Sequence, residues 1–256
     1  MAWLVWVVTA SIILLAAALG ARRRGQRNGR LLETNPGVAA GQAFSTSPST
    51  LWHYRRWFEQ MKPRLGLPPS FGFLVEAEGP HPLGHSQAVS WLAIQIAKQA
   101  GLSPTEIEEI RLAGLVHDIG KTHVPLHLLN KPALLTAEEF ETMKGHAAWG
   151  EKMLRLLGMK GIGRVVRHHH ERYDGRGYPD GLAGDRIPLG ARIVAVAECF
   201  EDMISELPYK SARTFEDALA ELRRCSGTQF DPQVVTAFLD WLESLSDPCE
   251  QAVQVG

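Results

Sequence analysis

The residues best suited to chemistry in this chain are histidines and carboxylates gathered at a few separated places: His85, the adjacent pair His117-Asp118, His146, and the run His168-His169-His170-Glu171. A single histidine is usually a satisfied core or surface residue, but several such groups in one chain point to metal ligation. Neutral imidazole together with carboxylate suits divalent iron, manganese, nickel or zinc. The three cysteines, Cys199, Cys225 and Cys249, lack any paired metal spacing, which removes iron–sulfur clusters and closed thiolate zinc sites and fits a reducing compartment. An adjacent His and Asp at the end of a helix can give a nitrogen to one ion and a carboxylate between two, which is what two-metal hydrolysis requires.

The elements that must position these groups read as helices, with most of the ligand candidates expected where helices end. Ser103-Pro104-Thr105-Glu106 supplies an N-cap, a proline at the first helical position and a capping-box glutamate ahead of Ile107, Ile110, Leu112 and Leu115. This predicts a helix that ends near His117. Thr136 with Glu139 repeats the box before Phe140, Met143, Met153 and Leu154; Thr214 with Asp217 does likewise; and Asp231-Pro232 opens a segment with Val234, Val235, Phe238 and Leu242. From Asp174 to Gly190 the chain is rich in Gly, Asp and Pro, which predicts a long ordered loop holding at most a short ribbon. No alternating apolar and polar run elsewhere argues for a sheet, so residues 51–246 are expected to form one all-α domain, a compact helical bundle.

Hydrophobic residues make up 45% and charged ones 21% of the 256, which excludes disorder and a multi-span membrane protein as the class. A formal net charge of -1 provides no basic field for duplex nucleic acid, while a small anionic ligand stays compatible. From Ala2 to Gly20 there is no charge, and the run through Leu4, Val5, Val8, Ile12, Leu15 and Leu19 is long enough to cross a bilayer. Arg22, Arg23, Arg24, Arg27 and Arg30 follow it, the reverse of a cleaved signal peptide. Residues 1–20 are therefore expected to be a single-pass transmembrane anchor in the cytoplasmic membrane, with everything beyond residue 21 in the cytoplasm. Residues 21–50 read as a basic and polar juxtamembrane linker, and 247–256 as a tail.

Leu115-Val116-His117-Asp118-Ile119-Gly120-Lys121, and again His169-His170-Glu171-Arg172-Tyr173-Asp174-Gly175-Arg176-Gly177-Tyr178-Pro179, resemble an HD-GYP domain. The resemblance spans residues 71 to 246 and takes in His85-Ser86, Asn130-Lys131-Pro132, Leu135-Thr136, Glu138-Glu139-Phe140 and Lys144-Gly145-His146. It implies an HD-domain helical bundle with a GYP-containing loop, acting as a metal-dependent phosphodiesterase on cyclic di-GMP. The implied ligands are His85, His117, Asp118, His146, His169 and His170, with Asp118 between two divalent ions and Glu198 completing the set. Iron or manganese are the leading cations, nickel or zinc the alternatives, and His168 is a bystander. The resemblance also sets Lys121 against the scissile phosphate, where a fixed ammonium offsets growing charge. Gly177-Tyr178-Pro179 then puts an aromatic ring beside a guanine base, with Gly175 and Gly177 allowing backbone shapes that a Cβ resists. The implied reaction is attack of a metal-activated water, giving linear pGpG, with pGpG or GMP left open as the final product.

Three positions depart from the family pattern. Glu198 stands where Asp is usual, moving a carboxylate by about an ångström. Leu207 stands where an arginine usually precedes Pro208-Tyr209, so bidentate recognition of guanine or phosphate is lost there, with Lys210 keeping some charge at the substrate site. His81 occupies a position where some members carry a glutamate for a third metal; the reading here favours two ions. An HD phosphohydrolase for another cyclic dinucleotide or nucleotide is one alternative. A catalytically silent receptor or scaffold, binding cyclic di-GMP or a diguanylate cyclase, is the other.

Overall fold

A computed structural model describes residues 84–206 and 211–245. All of them fall in one compact unit. In chain order the elements are α1 (His85–Gln99), α2 (Pro104–Val116), a 3₁₀ turn (Ile119–His123), α3 (Leu126–Leu129), α4 (Ala137–Leu156), α5 (Lys160–His168), a second 3₁₀ turn (Gly184–Arg186), α6 (Leu189–Ile204), α7 (Phe215–Cys225) and α8 (Pro232–Ser244). The expected all-α class holds: among the described residues there is no named strand, and the ribbon expected between 174 and 190 reduces to one antiparallel bridge between Asp174 and Ala183.

The cap signals place four helices. Ser103 and Thr136 form complete capping boxes with Glu106 and Glu139 at the starts of α2 and α4, Thr214 accepts from the Asp217 N–H at α7, and Asp231 accepts from the Gln233 N–H at α8. α2 stops at His117, as the sequence predicts. His146, expected near a helix end, instead lies within the 20-residue α4. Its neighbours Ala147, Gly150 and Leu154 are buried, so the ligand face and the core face of α4 are one continuous stripe.

α6 is the central element and packs against α1, α2, α5, α7 and α8. Surrounded in this way, it buries Ala191, Ile193, Val194, Val196, Ala197, Phe200 and Met203. Each large apolar side chain in such a position contributes about 1.5–3 kcal/mol. Phe200 meets Phe215 of α7 and Phe238 of α8 with ring centroids 5.2 and 4.8 Å apart, and Trp241 of α8 meets Trp91 of α1 at 5.3 Å. Two carboxylates, Glu198 and Glu201, are buried in this same apolar helix. Burying charge is costly without partners, so their presence needs a chemical reason.

No helix among the described residues is long and apolar enough to cross a membrane. The apolar run 1–20, the linker 21–50, the beginning of the 51–246 domain, His81, Leu207, Lys210 and the tail 247–256 lie outside the described residues.

Candidate metal centre

Five elements each deliver part of one buried cluster. His85 opens α1, His117 and Asp118 follow the last turn of α2, His146 comes from α4, His169 and His170 follow α5, and Glu198 comes from α6. The pair His117-Asp118 can reach His146 because of Gly120. A Cβ there would lie 1.9 Å from the His146 carbonyl oxygen and 2.6 Å from the Gly150 nitrogen, so only glycine lets the 3₁₀ turn lie against α4.

Ligand atoms form two groups, each gathered within 4.8 Å: Asp118 with His146, His169 and His170, and His85 with His117, Asp118 and Glu198. Asp118 belongs to both. The sequence's candidates His85, His117, Asp118, His146, His169, His170 and Glu198 are thus brought together, and the longer Glu198 side chain reaches the group. Ring contacts between His85 and His117, His117 and His169, and His146 and His169 have centroids 5.3, 5.4 and 5.5 Å apart.

The imidazoles are oriented from behind. Nδ1 of His117 bonds the Gly114 carbonyl at 2.9 Å, that of His146 the Met143 carbonyl at 2.7 Å, and that of His169 the Val166 carbonyl at 2.6 Å. Donation at Nδ1 leaves Nε2 as the atom with a lone pair, and the Nε2 atoms of these three residues make no hydrogen bond, nor does Asp118 Oδ1. Buried polar atoms without partners are rare and point to a missing ion. These residues fit a divalent metal: the imidazole Nε2 atoms and Asp118 Oδ1 converge with no hydrogen-bond partner of their own. His85 differs in using a carboxylate, its Nδ1 lying 2.6 Å from Glu201 Oε2, while Ser205 donates to Glu201 Oε1 at 2.7 Å.

Electrostatics divides the cluster between its two ligand groups. Burial, reinforced by neighbouring imidazoles, holds His169 and His170 well below the usual histidine range, and burial lowers His146. Burial also pulls on His117, but the Asp118 and Glu198 carboxylates outweigh it and raise the ring to about 9. Burial lifts Glu198 to about 7 against the pull of His117. Asp118 stays well below the ordinary carboxylate range because Lys121, His117 and His146 overcome its burial. Lys121 donates to Asp118 Oδ2 at 2.5 Å, at the edge of the cluster.

The GYP loop closes the other side. Gly177 is required by space: a Cβ would sit 2.3 Å from the Arg172 nitrogen and 2.5 Å from Glu171 Cα. Gly175, with φ +79°, lies in the left-handed region that favours glycine. This packing sets the Tyr178 ring 4.9 Å from the His170 ring. Glu171 pins the loop by accepting from the Asp180 and Leu182 N–H groups at 2.7 and 3.1 Å. Asp180 accepts from Arg167 at 2.7 and 2.8 Å and faces His168 Nε2 at 2.9 Å, so His168 points at the loop and away from the cluster.

Sequence reasoning missed Glu201 and Asp202, the latter 3.8 Å from His85 Nδ1. Their signal was available: three acidic residues at positions 198, 201 and 202 share one face of an otherwise apolar helix.

The HD domain family model matches residues 71–234. A cyclic di-GMP phosphodiesterase of Thermotoga maritima is 40% identical over 166 residues, covering 64% of this chain and 45% of that protein. A cyclic di-GMP phosphodiesterase response regulator of Xanthomonas campestris is 42% identical over 170 residues, covering 64% and 44%. A 3'3'-cGAMP-specific phosphodiesterase of Vibrio cholerae is 37% identical over 183 residues, covering 71% and 40%. The chain thus spans less than half the length of these curated relatives. Among solved structures, a cyclic GMP-AMP specific phosphodiesterase of Vibrio cholerae shares the fold with a TM-score of 0.54 at 19% identity, covering 72% of this chain and 49% of that one. An HDG"Y"P protein from Bdellovibrio bacteriovorus does so with a TM-score of 0.53 at 20% identity, covering 77% and 65%. With the matched domain extending over most of the described residues, and with its His-Asp pair and GYP loop meeting at one buried cluster, the chain belongs to the HD domain family, in its HD-GYP branch.

Proposed function

We propose that this chain is a metal-dependent phosphodiesterase that opens cyclic di-GMP to linear pGpG. The observation that carries the reading is one buried carboxylate, Asp118, shared by two groups of candidate ligands, all buried but the half-buried His170. Relatives named as cyclic di-GMP phosphodiesterases, 40% and 42% identical across the shared domain, support the substrate.

Asp118, His146, His169 and His170 would hold one divalent cation, and His85, His117, Asp118 and Glu198 the second. The donor set favours iron or manganese, with nickel or zinc as alternatives. His81 is the candidate ligand for a third ion. Two such ions supply an activated water and a clamp on a phosphate oxygen.

The chain's own residues do the rest. The lowered Asp118 stays ionised, and the neutral His146, His169 and His170 keep their lone pairs for ligation. Lys121, held against Asp118, offers its ammonium to the scissile phosphate as charge grows there. The water oxygen bonds phosphorus, the bond from phosphorus to the 3' oxygen breaks, and that oxygen takes up a proton, leaving a 5' phosphate on the linear product. Gly177 and Pro179 hold Tyr178 where its ring can meet a guanine. Lys210 supplies charge that Leu207 does not. Residues 1–20 and the arginines behind them support a single-pass anchor in the cytoplasmic membrane, with this domain on the cytoplasmic side.

A second substrate, 3'3'-cGAMP, is favoured by the Vibrio cholerae relative at 37% identity and by the absence of the family's arginine at Leu207. A silent scaffold for a diguanylate cyclase is disfavoured by the complete ligand set, which only metal chemistry requires. The test is chromatography of products from cyclic di-GMP incubated with the full chain in detergent and Mn²⁺ or Fe²⁺, beside Asp118→Ala. Turnover by the parent and none by the variant is the expected outcome. Turnover of 3'3'-cGAMP alone would move the assignment to that substrate, and bound metal without any turnover would defeat it.

A further inference from the structure

An aromatic series leads outward from the cluster. The rings of His169 and His170 have centroids 3.9 Å apart, His170 and Tyr178 lie at 4.9 Å, and Tyr178 meets Phe140 of α4 at 6.3 Å with the planes 81° apart. Phe140 is 45% exposed, a large aromatic surface left to water at the open end of the series. Lys144, one turn along α4, sets its Nζ 5.0 Å from the Phe140 centroid and 5.6 Å from that of Tyr178. The ammonium therefore lies in the angle between the two rings. Its carboxylate partner is Glu141, at 2.6 Å, whose side chain is 69% exposed and readily released to water.

We propose that Phe140 and Lys144 form a purine shelf beside Tyr178, which takes one guanine of the cyclic dinucleotide. The proposal rests on the phosphodiesterase reading and adds to it the residues that select the base. Phe140 supplies a stacking face that tolerates any purine. Lys144, a donor with no acceptor capacity, favours the edge of guanine, where O6 and N7 both accept, over that of adenine, where an amino donor stands beside N7. Glu141 holds the ammonium over the rings until the base arrives. The exposed position of Phe140 means that its removal leaves the core of α4 intact.

Steady-state kinetics on cyclic di-GMP and on bis(4-nitrophenyl) phosphate, a diester with no purine, tests the shelf. Phe140→Ala should raise KM for cyclic di-GMP by about 5- to 150-fold, the span expected for one base–aromatic stack. The loss of kcat/KM on cyclic di-GMP should exceed that on the small diester by the same factor, and Phe140→Trp should restore it. Equal losses on both substrates would overturn the proposal, because they would place Phe140 in the support of the metal cluster. A binding arm decides the matter apart from turnover: calorimetry of GMP and AMP on Asp118→Ala, alone and combined with Phe140→Ala or Lys144→Met. Weaker binding of both nucleotides without Phe140, and a GMP-selective loss without Lys144, supports the shelf; unchanged GMP affinity in both combinations overturns it. A parent that cleaves the small diester but no cyclic dinucleotide would defeat the proposed function alone, leaving the shelf to the nucleotide titration.

Discussion

At the scale of single residues, the second half of the cluster depends on a carboxylate that stands behind one of its imidazoles. Three histidines lean on backbone carbonyls, which substitution cannot remove, whereas His85 leans on Glu201. A carboxylate behind a ligating imidazole fixes the ring and strengthens its donation, and losing such a partner typically lowers metal affinity by about 10- to 100-fold. Glu201→Ala should therefore weaken binding at the His85, His117, Asp118, Glu198 group by about that factor. Binding at the Asp118, His146, His169, His170 group should change little. Metal titration followed by elemental analysis checks this, with stoichiometry falling toward one ion per chain at limiting metal. Glu201→Gln, whose carbonyl can still accept from His85 Nδ1, should lie between the parent and the alanine variant. Equal weakening of both groups would mean that Glu201 supports the fold of α6 rather than one ligand.

At the scale of elements, the GYP loop is held chiefly by charge. Arg167 and His168 of α5 grip Asp180, and Arg167 first, then His168, bring that carboxyl down to about 2 against slight burial. A carboxyl whose folded pKa lies below its ordinary value of 3.8 contributes stability that is present above pH 3.8 and lost as pH falls through about 2. The loop should thus loosen over that acid window, and Asp180→Asn should show loosened exchange already at neutral pH; amide exchange of residues 174–186 in the two proteins compares them. Much of this architecture was legible beforehand. Ser103, Thr136, Thr214 and Asp231 mark helix starts because their side chains cap orphan N–H groups, a local effect. α1, α5 and α6 start at Gly84, Met159 and Pro188 with no side-chain cap, so nothing local announces them. No residue of α6 is exposed, because helices pack around it on most sides, so it shows no solvent-facing polar stripe. The candidate ligands were legible from the HD and GYP motifs; Glu201 was marked by its spacing from Glu198 and Asp202, but its place behind His85 and the depth of His146 within α4 follow from packing between helices distant in sequence.

At the scale of the whole molecule, the cluster is where the fold is tied together and where it is least content without cations. Its candidate ligands come from α1, the end of α2, α4, the end of α5 and α6, so an ion bound there would join five elements at one point. Without cations, those elements enclose a group of desolvated imidazoles and carboxylates that compensate one another incompletely. Binding to the native state alone stabilises it by mass action, about 2.7 kcal/mol at a metal concentration 100 times Kd. For a domain of this size that corresponds to a rise in Tm of roughly 5–10 °C. The rise should grow with pH. His117, raised from 6.5 to about 9, contributes to the cation-free fold below pH 6.5 and loses that contribution as pH climbs through 9. The same proton must leave before His117 can bind a cation, so metal gains affinity as the unliganded fold loses stability. Thermal unfolding of the chain with Mn²⁺ and with chelator, at pH 6.5 and pH 8.5, should show the larger separation at the higher pH. In Asp118→Ala, which removes the carboxylate common to both groups, the separation should nearly vanish at either pH. A separation independent of pH in the parent would mean that His117 is not the ligand that exchanges its proton for the metal.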